Sequence, residues 1–370
     1  MGSVQKRTQA GTTSWLARWR DPTGRQRKRS FPRRIDAERF LSTVSADLVQ
    51  GNYIDPSDPT LFRDYAEQWR AAQVHRPTTR AHVETNLRRH AYPTFGDRRL
   101  SAIRPGEVQA WVAGLTQVLS PATVQVNHGL VAAVFKAAMR DRLVGSSPCE
   151  GTKLPKKLPR EVVPLTVGMV DALATGVPPR YRALVVLAAG TGMRQGECFG
   201  VVDDRLDLTA RILRVDQQLI LLPRRPPFLA PPKTPASHRT VPLPQVVVDA
   251  LAAHIERFPV HHPDRLVFTD EDGRALRRTA FSREIWRPTV RAVGARRGTG
   301  FHELRHFYAS LLIRHGESVK TVQRRLGHAT AAETLDTYAH LWPDSDDRTR
   351  EAIDSVLGAA ESPGTDGHEA

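Results

Sequence analysis

The chain has 370 residues, 40% of them hydrophobic, which suits two or three globular domains and excludes a single small one. Its 54 Lys and Arg against 39 Asp and Glu give a net charge of +15, which favours a nucleic-acid partner over the membrane surfaces and acidic proteins that also attract basic chains. Two cysteines are too few for a disulfide framework, and no signal peptide or membrane span is indicated, so we expect a cytoplasmic protein.

The first segment, residues 1–56, predicts a small sheet backed by one helix. Trp15, Ala17 and Trp19 alternate with other residues along one strand, and residues 25–31 can return as a second strand after a turn. Helical spacing of apolar residues starts at Asp36, which we expect to be the N-cap. Residues 1–55 carry 11 basic and five acidic side chains, which by themselves indicate only a charged surface.

The next segment, residues 57–146, predicts a helical bundle, because apolar residues recur at helical spacing between short breaks marked by Pro and Gly. Its expected helices lie near residues 61–69, 78–90, 105–115 and 121–142. Residues 147–163 concentrate Pro, Gly and Lys without an apolar period, which predicts a linker.

The last large segment, residues 164–357, predicts a mostly helical domain with one sheet insertion. Residues 211–222 and 238–243 alternate like strands around a proline-rich loop. Residues 358–370 are polar, and we expect them to be disordered.

Two arginines in this segment have the surroundings of phosphate-binding groups. Arg194 follows the predicted turn at residues 190–192 and is expected to begin a helix on which Glu197 shares its face. An arginine oriented by a carboxylate can present two donors to a phosphate, although an ordinary helix ion pair would look the same. Arg305 lies three residues after His302 on a second predicted helix, so both side chains can point the same way.

Two further residues are candidates for proton transfer. Lys233 lies in a loop between predicted strands of an arginine-rich chain, and Lys can donate a proton where Arg, with a pKa above about 12, cannot. His328 follows a glycine that is expected to end a helix. It could contact a phosphate oxygen or assist proton movement, and the sequence does not choose between these roles.

A tyrosine close behind this histidine is a candidate nucleophile. Thr330 and Glu333 form a capping-box pattern, and Tyr338 falls in the third turn of the helix that this pattern starts. Leu335 and Trp342 share its predicted face, so a packed core tyrosine is the alternative.

The candidate residues occur within five strings, GTGMRQGE, PPKTPASHRTVPLP, FHELRH, LGHAT and TLDTYAHLW, in this order. Together these strings resemble the tyrosine recombinase family in its phage-integrase branch. The basic hairpin is similar to the N-terminal arm-binding domain of phage integrases, and AYPTFGDRRLSAIRPGEVQAWVAGL is similar to their core-binding domain.

The resemblance implies a mainly α protein with small β elements. Its parts would be a three-stranded sheet with one helix that binds arm-type DNA, a helical core-binding bundle, and a mixed but mostly helical catalytic domain. In such enzymes a tyrosine attacks a DNA phosphate to form a 3′-phosphotyrosine, and the freed 5′-hydroxyl attacks the partner duplex. The implied catalytic residues are Arg194, Lys233, His302, Arg305, His328 and the nucleophile Tyr338, with Glu197 in support.

The implied partners are double-stranded DNA at core and arm attachment sites, further copies forming a tetramer, an excisionase and a host DNA-bending protein, in a nucleoid-associated setting. The side chains expected to contact arm DNA are Arg18, Arg20, Arg25, Arg27, Lys28 and Arg29. We expect neither a metal nor another cofactor, because no HExxH, Cys/His cluster or GxxxxGK[ST] loop is present.

Two other functions fit parts of the pattern. A non-catalytic DNA-binding regulator would have the same charge and the same first two domains, and a topoisomerase-like or dimer-resolving enzyme would share the tyrosine chemistry. The complete set of catalytic residue types favours an enzyme, and the basic hairpin favours an integrase.

Overall fold

A computed structural model describes residues 2–9, 12–22, 24–51, 53–55, 58–157, 161–342 and 346–357, except for the side chains of residues 346–349 and 352. The predicted disorder of residues 358–370 lies outside the described residues. The chain divides into two units, residues 1–158 and 159–370, and each unit folds around its own core.

Unit 1 begins with an antiparallel sheet in the order β1-β2-β3, with helix α1 against one face. The sequence predicted β2 and β3 but did not locate the first strand. Trp19 packs with Val44 of the helix and donates its indole N–H to the Tyr53 hydroxyl at 3.0 Å. These elements are β1 (Ser3–Gln9), β2 (Thr12–Arg20), β3 (Gln26–Phe31) and α1 (Arg34–Val49).

The start of α1 differs from the prediction. Its N-cap is Arg33, so Asp36 lies in the first turn and is not the cap. The Asp36 carboxylate accepts a 2.8 Å hydrogen bond from Arg33 Nε. Its negative charge is stabilised by the positive N-terminal end of the helix dipole. Apolar periodicity therefore located the helix correctly, but the helix begins at Arg34, before the predicted cap at Asp36.

The rest of unit 1 is a helical bundle, as predicted. Pro at the first position of three of its helices fixes a helical φ where no backbone N–H partner is needed. Phe62 is fully buried, with its ring 5.6 Å from the Phe135 ring. The helical elements are α2 (Phe62–Ala72), α3 (Pro77–Asn86), a π-helical turn (Leu87–Ala91), α4 (Tyr92–Phe95), a 3-10 turn (Leu100–Ala102), α5 (Pro105–Thr116) and α6 (Pro121–Arg140).

The residues after α6 have no regular helix, yet they are bound to the bundle. Gln109 exchanges two hydrogen bonds with the backbone of Lys153, and Gln125 donates to the carbonyl of Pro155 at 2.9 Å. Cys149 is buried in the same core. The first part of the predicted linker is therefore packed against unit 1.

Unit 2 is organised around α8, which contains the longest apolar run of the sequence and contacts α7, α10 and α13. The predicted insertion forms a three-stranded sheet, β4-β5-β8, and a separate hairpin, β6-β7. These elements are α7 (Val167–Gly176), α8 (Pro179–Thr191), α9 (Gln195–Phe199), a 3-10 turn (Asp203–Arg205), β4 (Leu206–Asp207), β5 (Ile212–Val215), β6 (Gln218–Ile220), β7 (Phe228–Ala230), a 3-10 turn (Pro235–Ser237), β8 (Arg239–Pro242) and α10 (Gln245–Arg257).

Short helices complete unit 2. Val162 packs near Tyr338 in a small second core, and its carbonyl lies 2.9 Å from His340 Nε2. The remaining elements are α11 (Arg278–Ala280), a π-helical turn (Phe281–Trp286), α12 (Arg287–Ala292), α13 (Glu303–Arg314), α14 (Val319–Leu326), α15 (Ala331–Tyr338), a 3-10 turn (Ala339–Leu341) and α16 (Asp346–Leu357). Across the described ranges, none of these helices has the length and apolar character needed to cross a bilayer.

Candidate active site

The ends of helices in unit 2 carry most of the candidate residues. Arg194 is the N-cap of α9, and His302 is the N-cap of α13, whose first turn contains Arg305. His328 follows Gly327, which ends α14 in the left-handed conformation as predicted, and Tyr338 is the last residue of α15. Helix ends place these side chains beside backbone groups that lack partners within the helix.

Arg194 is bound to three different parts of the unit. Its backbone N–H donates to the Glu197 carboxylate at 3.0 Å, and Nη1 lies 3.2 Å from the other oxygen of the same group. Nη1 also lies 3.3 Å from Ser237 Oγ, and Nη2 donates to the Gly327 carbonyl at 3.1 Å. The predicted Arg194–Glu197 contact is present. The predicted turn before it is not, because α8 continues through Thr191 and only Gly192 turns the chain.

A second arginine, Arg239, shares the Glu197 carboxylate with Arg194. Arg239 Nη2 lies 2.9 Å from Glu197 Oε2, and its other donors bind the carbonyls of Ser237 and Arg325. Burial raises the pKa of Glu197, but the two arginines and the Arg194 backbone N–H outweigh it and hold that pKa below its usual value. Glu197 therefore stays ionised and holds both guanidinium groups.

Arg305 is buried and has one donor without an acceptor. Nη1 donates to the Gly192 carbonyl at 2.7 Å, whereas Nη2 has no hydrogen-bond partner among the described residues. Burial, together with repulsion from Arg194, lowers the pKa of Arg305 to about 10. Because a buried unpaired donor is unfavourable, an anion bound here would satisfy Nη2 and relieve the repulsion between the arginines.

His328 is buried and neutral at pH 7. Its Nδ1 lies 2.8 Å from Thr334 Oγ1, and its ring is parallel to the Tyr338 ring with the centroids 6.5 Å apart. Burial, followed by repulsion from Arg305 and Arg194, lowers its pKa to about 3. A neutral imidazole can donate one hydrogen bond without adding to the positive charge of the site.

His302 contributes a second neutral imidazole at the edge of the site. Its side chain is exposed, but the surrounding protein atoms together with His306 and the arginines lower its pKa to about 4. The His302 and His306 rings meet edge-on, with centroids 4.8 Å apart. Repulsion from both Arg305 and Arg194 contributes to this shift, which indicates that His302 is near both predicted phosphate-binding arginines.

Tyr338 lies among these groups and is 1% exposed. Its hydroxyl is 2.8 Å from His306 Nδ1. Burial raises its pKa to about 12, while Arg305 and Arg194 act in the opposite direction. The predicted apolar face is only partly present, because Trp342 packs in the same small core as Tyr338 whereas Leu335 is 42% exposed.

Lys233 lies in the loop between β7 and β8, as the sequence predicted, and it is exposed. In the part of the chain that the structure describes, Nζ has no hydrogen bond or ion pair with the other candidates. The loop itself is attached to the site, because Thr234 Oγ1 lies 2.9 Å from Ser237 Oγ, which in turn contacts Arg194.

The assembled groups form a positively charged site with a buried tyrosine hydroxyl. Two arginines pair with one carboxylate, the neighbouring histidines are neutral, and Arg305 Nη2 has no hydrogen-bond partner among the described residues. Such a site can bind an anion and stabilise charge that develops on it during attack by the tyrosine.

Two family models match the chain. The model of the phage integrase family covers residues 167–344, and that of the phage integrase N-terminal SAM-like domain covers residues 61–116. The chain belongs to the phage integrase family. The predicted family and enzyme class, a tyrosine-type site-specific recombinase, are confirmed.

Relatives of this integrase-family chain include named integrases of mycobacteria and their phages. It is 28% identical to the putative prophage phiRv2 integrase of Mycobacterium tuberculosis over 340 residues, covering 88% of each chain. It is 27% identical to the integrase of Mycobacterium phage D29, covering 82% of this chain and 83% of that one.

Solved integrase structures share the fold, which confirms the predicted fold class. The Tn1549 transposon integrase, in complex with transposon right end DNA, is 19% identical and matches with a TM-score of 0.68 over 81% of this chain and 100% of that chain. A lambda integrase dimer bound to a COC′ core site is 17% identical and matches with a TM-score of 0.59 over 92% and 96%.

Five of the six basic residues predicted to contact arm DNA lie on strands of the first sheet, and they divide between its two faces. Lys28 pairs with Arg18 across the strands, and alternation places both of them, with Arg20, on the face opposite Trp19. Arg25 lies just before β3, where its backbone N–H donates to Asp21 at 3.0 Å.

The other two basic residues lie on the same face as Trp19 and contact neighbouring side chains. Arg27 Nε donates to Asp21 at 2.9 Å, and its Nη2 forms an ion pair with Asp55 at 2.5 Å. The Arg29 guanidinium lies over the rings of Phe31 and Phe40, 5.3 and 5.0 Å from their centroids. These contacts show that Arg27 and Arg29 help to hold the sheet and its surroundings together, in addition to contributing positive charge.

Sequence reasoning missed two residues of the catalytic-type site in this integrase. Arg239 and His306 both lie within the motif strings PPKTPASHRTVPLP and FHELRH, but neither was predicted to be a site residue. The available signal for His306 was its position four residues after His302, one turn along the same helix face. Arg239 offered only its place at the start of a predicted strand.

Proposed function

We propose that this integrase recombines DNA at specific sites through a covalent 3′-phosphotyrosine on Tyr338, and so integrates or excises a phage or other mobile element. The observation that carries the proposal is the position of the Tyr338 hydroxyl among cationic groups. Arg305 and Arg194 both lie near enough to oppose the rise in its pKa that burial causes, and Arg305 Nη2 has no acceptor among the described residues.

Arg194 and Arg305 would bind the phosphate that is attacked. In-line attack places additional negative charge on the non-bridging oxygens, so donors fixed before the reaction stabilise the transition state more than the substrate. Glu197 and the carbonyls of Gly192 and Gly327 would fix the two guanidinium groups in advance.

Proton transfer would then balance the reaction. As the bond from Tyr338 to phosphorus forms and the bond from phosphorus to the 5′-oxygen breaks, Lys233 would donate a proton to the leaving oxygen. Its exposed, flexible side chain lies on a loop attached to Arg194 through Ser237, which supports this reach. Neutral His302 and His328 would assist by hydrogen bonding to the phosphate or to a moving proton.

Rejoining would reverse these steps with a different strand. The 5′-hydroxyl of the partner duplex would attack the phosphotyrosine, and the phenol would leave. Each step exchanges one phosphate ester for another, so the reaction needs no nucleotide hydrolysis.

The domain assignments and partners extend the proposal. Residues 1–56 would bind arm-type sites and residues 57–146 core-type sites, with residues 147–163 as the linker to a catalytic domain at residues 164–357. The lambda integrase is described as a dimer on a core site and a tetramer on a Holliday junction, which supports a tetramer of this chain on DNA. An excisionase and a host DNA-bending protein would control direction, in a nucleoid-associated cytoplasmic setting.

The nucleophile is tested by trapping it. A nicked duplex of the attachment core, taken from the junctions that flank the gene, loses its short 5′-hydroxyl fragment after cleavage, so covalent protein accumulates. Tyr338→Phe is expected to form no adduct, whereas Tyr181→Phe, which changes another buried tyrosine of unit 2, should form it normally. An adduct on Tyr338→Phe would remove Tyr338 from this role.

The general acid is tested by changing the leaving group. A 5′-bridging sulfur leaves as a stable thiolate and needs no proton, so Lys233→Ala should cleave this substrate nearly as well as the unchanged chain. On the ordinary phosphodiester the same variant should lose about 100-fold or more. An equal loss on both substrates would contradict proton donation by Lys233.

A further inference from the structure

The hydroxyl of Tyr338 has one hydrogen-bond partner among the described residues, and it is a histidine to which the proposed mechanism gives no task. His306 Nδ1 lies 2.8 Å from Tyr338 Oη, and the two rings are 5.6 Å apart at 67°. Helix α13 therefore supplies both the buried Arg305 and, at the next position, a nitrogen in contact with the attacking oxygen.

The other basic groups of the site are less well placed to take the phenolic proton. His328 lies parallel to the Tyr338 ring, and its Nδ1 is already 2.8 Å from Thr334 Oγ1. His302 contacts the His306 ring and has no hydrogen bond to Tyr338 within the described ranges. Arginine does not act as a base near neutral pH.

We propose that His306 is the general base for Tyr338. The inference rests on the proposed function. The Oη–H bond breaks and its proton moves to His306 Nδ1 as the Oη–P bond forms. The P–O5′ bond breaks, and the 5′-oxygen receives a proton from Lys233. In the rejoining step Lys233 takes back the proton of the attacking 5′-hydroxyl and the His306 imidazolium returns its proton to the departing phenol, so atoms and charges balance without another reactant.

The surroundings of His306 suit this exchange. The charged and titratable groups that face it are His302, Glu303 and Arg305 on its own helix and Tyr338 on α15. Burial and Arg305 lower the pKa of His306, so the ring is neutral at pH 7 and Nδ1 can accept a proton, while Glu303 acts in the opposite direction and would stabilise the imidazolium. Because burial raises the pKa of Tyr338 to about 12, transfer becomes favourable only as the bond to phosphorus forms.

His306→Asn separates proton transfer from positioning. An asparagine carbonyl can replace Nδ1 as the acceptor of the Tyr338 hydrogen bond, but an amide cannot take up a proton near neutral pH. Cleavage of the nicked duplex with a 5′-bridging sulfur is measured by single-turnover adduct formation, so that donation by Lys233 does not limit the rate. DNA binding and circular dichroism verify that each variant is folded, and Lys320→Ala, on exposed helix α14 surface, serves as the control.

The unchanged chain is expected to cleave at a rate that is independent of pH above the His306 titration. His306→Asn should be at least about tenfold slower at pH 7 and should speed up about tenfold per pH unit, because hydroxide must then remove the proton. A smaller loss, or a loss without this change in pH dependence, would overturn the assignment, since positioning alone predicts a constant factor. Absence of adduct from the unchanged chain would instead refute the proposed function.

Discussion

The Glu197 carboxylate provides a sharp test of how the two guanidinium groups are held. Its side chain is 2% exposed, and it binds Arg194 at 3.2 Å and Arg239 at 2.9 Å. Glu197→Ala removes the one negative charge between them. The Arg194 side chain is 33% exposed and can turn towards water, whereas that of Arg239 is 6% exposed and would remain buried without its carboxylate.

The expected loss follows from this difference in exposure. Removing one partner of a buried ion pair typically costs about 3–5 kcal/mol, because a charge is left uncompensated. We expect Glu197→Ala to destabilise unit 2 by about that amount. Replacing both partners, as in Glu197→Leu with Arg239→Met, should recover most of the stability but not the activity, because the buried charge is gone while Arg194 lacks the carboxylate that orients it.

Amide hydrogen exchange of the purified chain measures the loss, since peptides from α8 and α9 report on unit 2 separately from unit 1. Glu284→Ala is the matched control. Its carboxylate pairs with Arg283 at the surface, with side chains 55% and 75% exposed, and its removal should change stability by no more than about 1 kcal/mol. A loss from Glu197→Ala as small as that from Glu284→Ala would refute the reasoning.

The effect also has a defined pH dependence. The folded pKa of Glu197 lies below its ordinary value of 4.5, so its ionised form is favoured in the folded state. The stability this contributes is fully present above the unfolded pKa and is lost as the pH falls through the folded one. The difference between the unchanged chain and Glu197→Gln should therefore shrink below about pH 4.5.

Three further predictions concern positioning. Gly192→Ala should destabilise the protein clearly more than Gly273→Ala. Both glycines have positive φ, but only at Gly192 would the new Cβ lie 2.4 Å from a tyrosine ring. A lower melting temperature of Gly192→Ala than of Gly273→Ala is therefore expected. Arg239→Lys should reduce cleavage while leaving DNA affinity unchanged, because the single ammonium of Lys cannot reach the three separate acceptors that the guanidinium spans; an equal drop in affinity would argue against this. Lys28→Ala should lower the salt dependence of arm-DNA binding by about one phosphate contact, whereas Arg27→Ala should mainly destabilise the sheet, which filter binding and thermal melting distinguish.

Much of the fold followed from patterns that are local in the chain. Apolar periodicity located the helices of the bundle, Gly327 ended α14, and Thr330 caps α15 through its bond to the Glu333 N–H. Predictions of features that depend on one or two neighbouring residues were less accurate. Helix α1 begins after Arg33 and not at Asp36, where an ion pair joins these two residues, and β1 has no apolar alternation by which to find it.

The sequence by itself also determined which residue types the site would contain and in what order along the chain. It could not determine how they share partners, because Arg194 and Gly327 are 133 residues apart and meet only after α9 and α14 have packed. Tertiary packing produces the pairing of Glu197 with both Arg194 and Arg239 and the contact between Tyr338 and His306. It also leaves Arg305 Nη2 without a partner among the described residues. Burial then set the protonation states, since the pKa of each group depends on neighbours that lie far from it in the sequence.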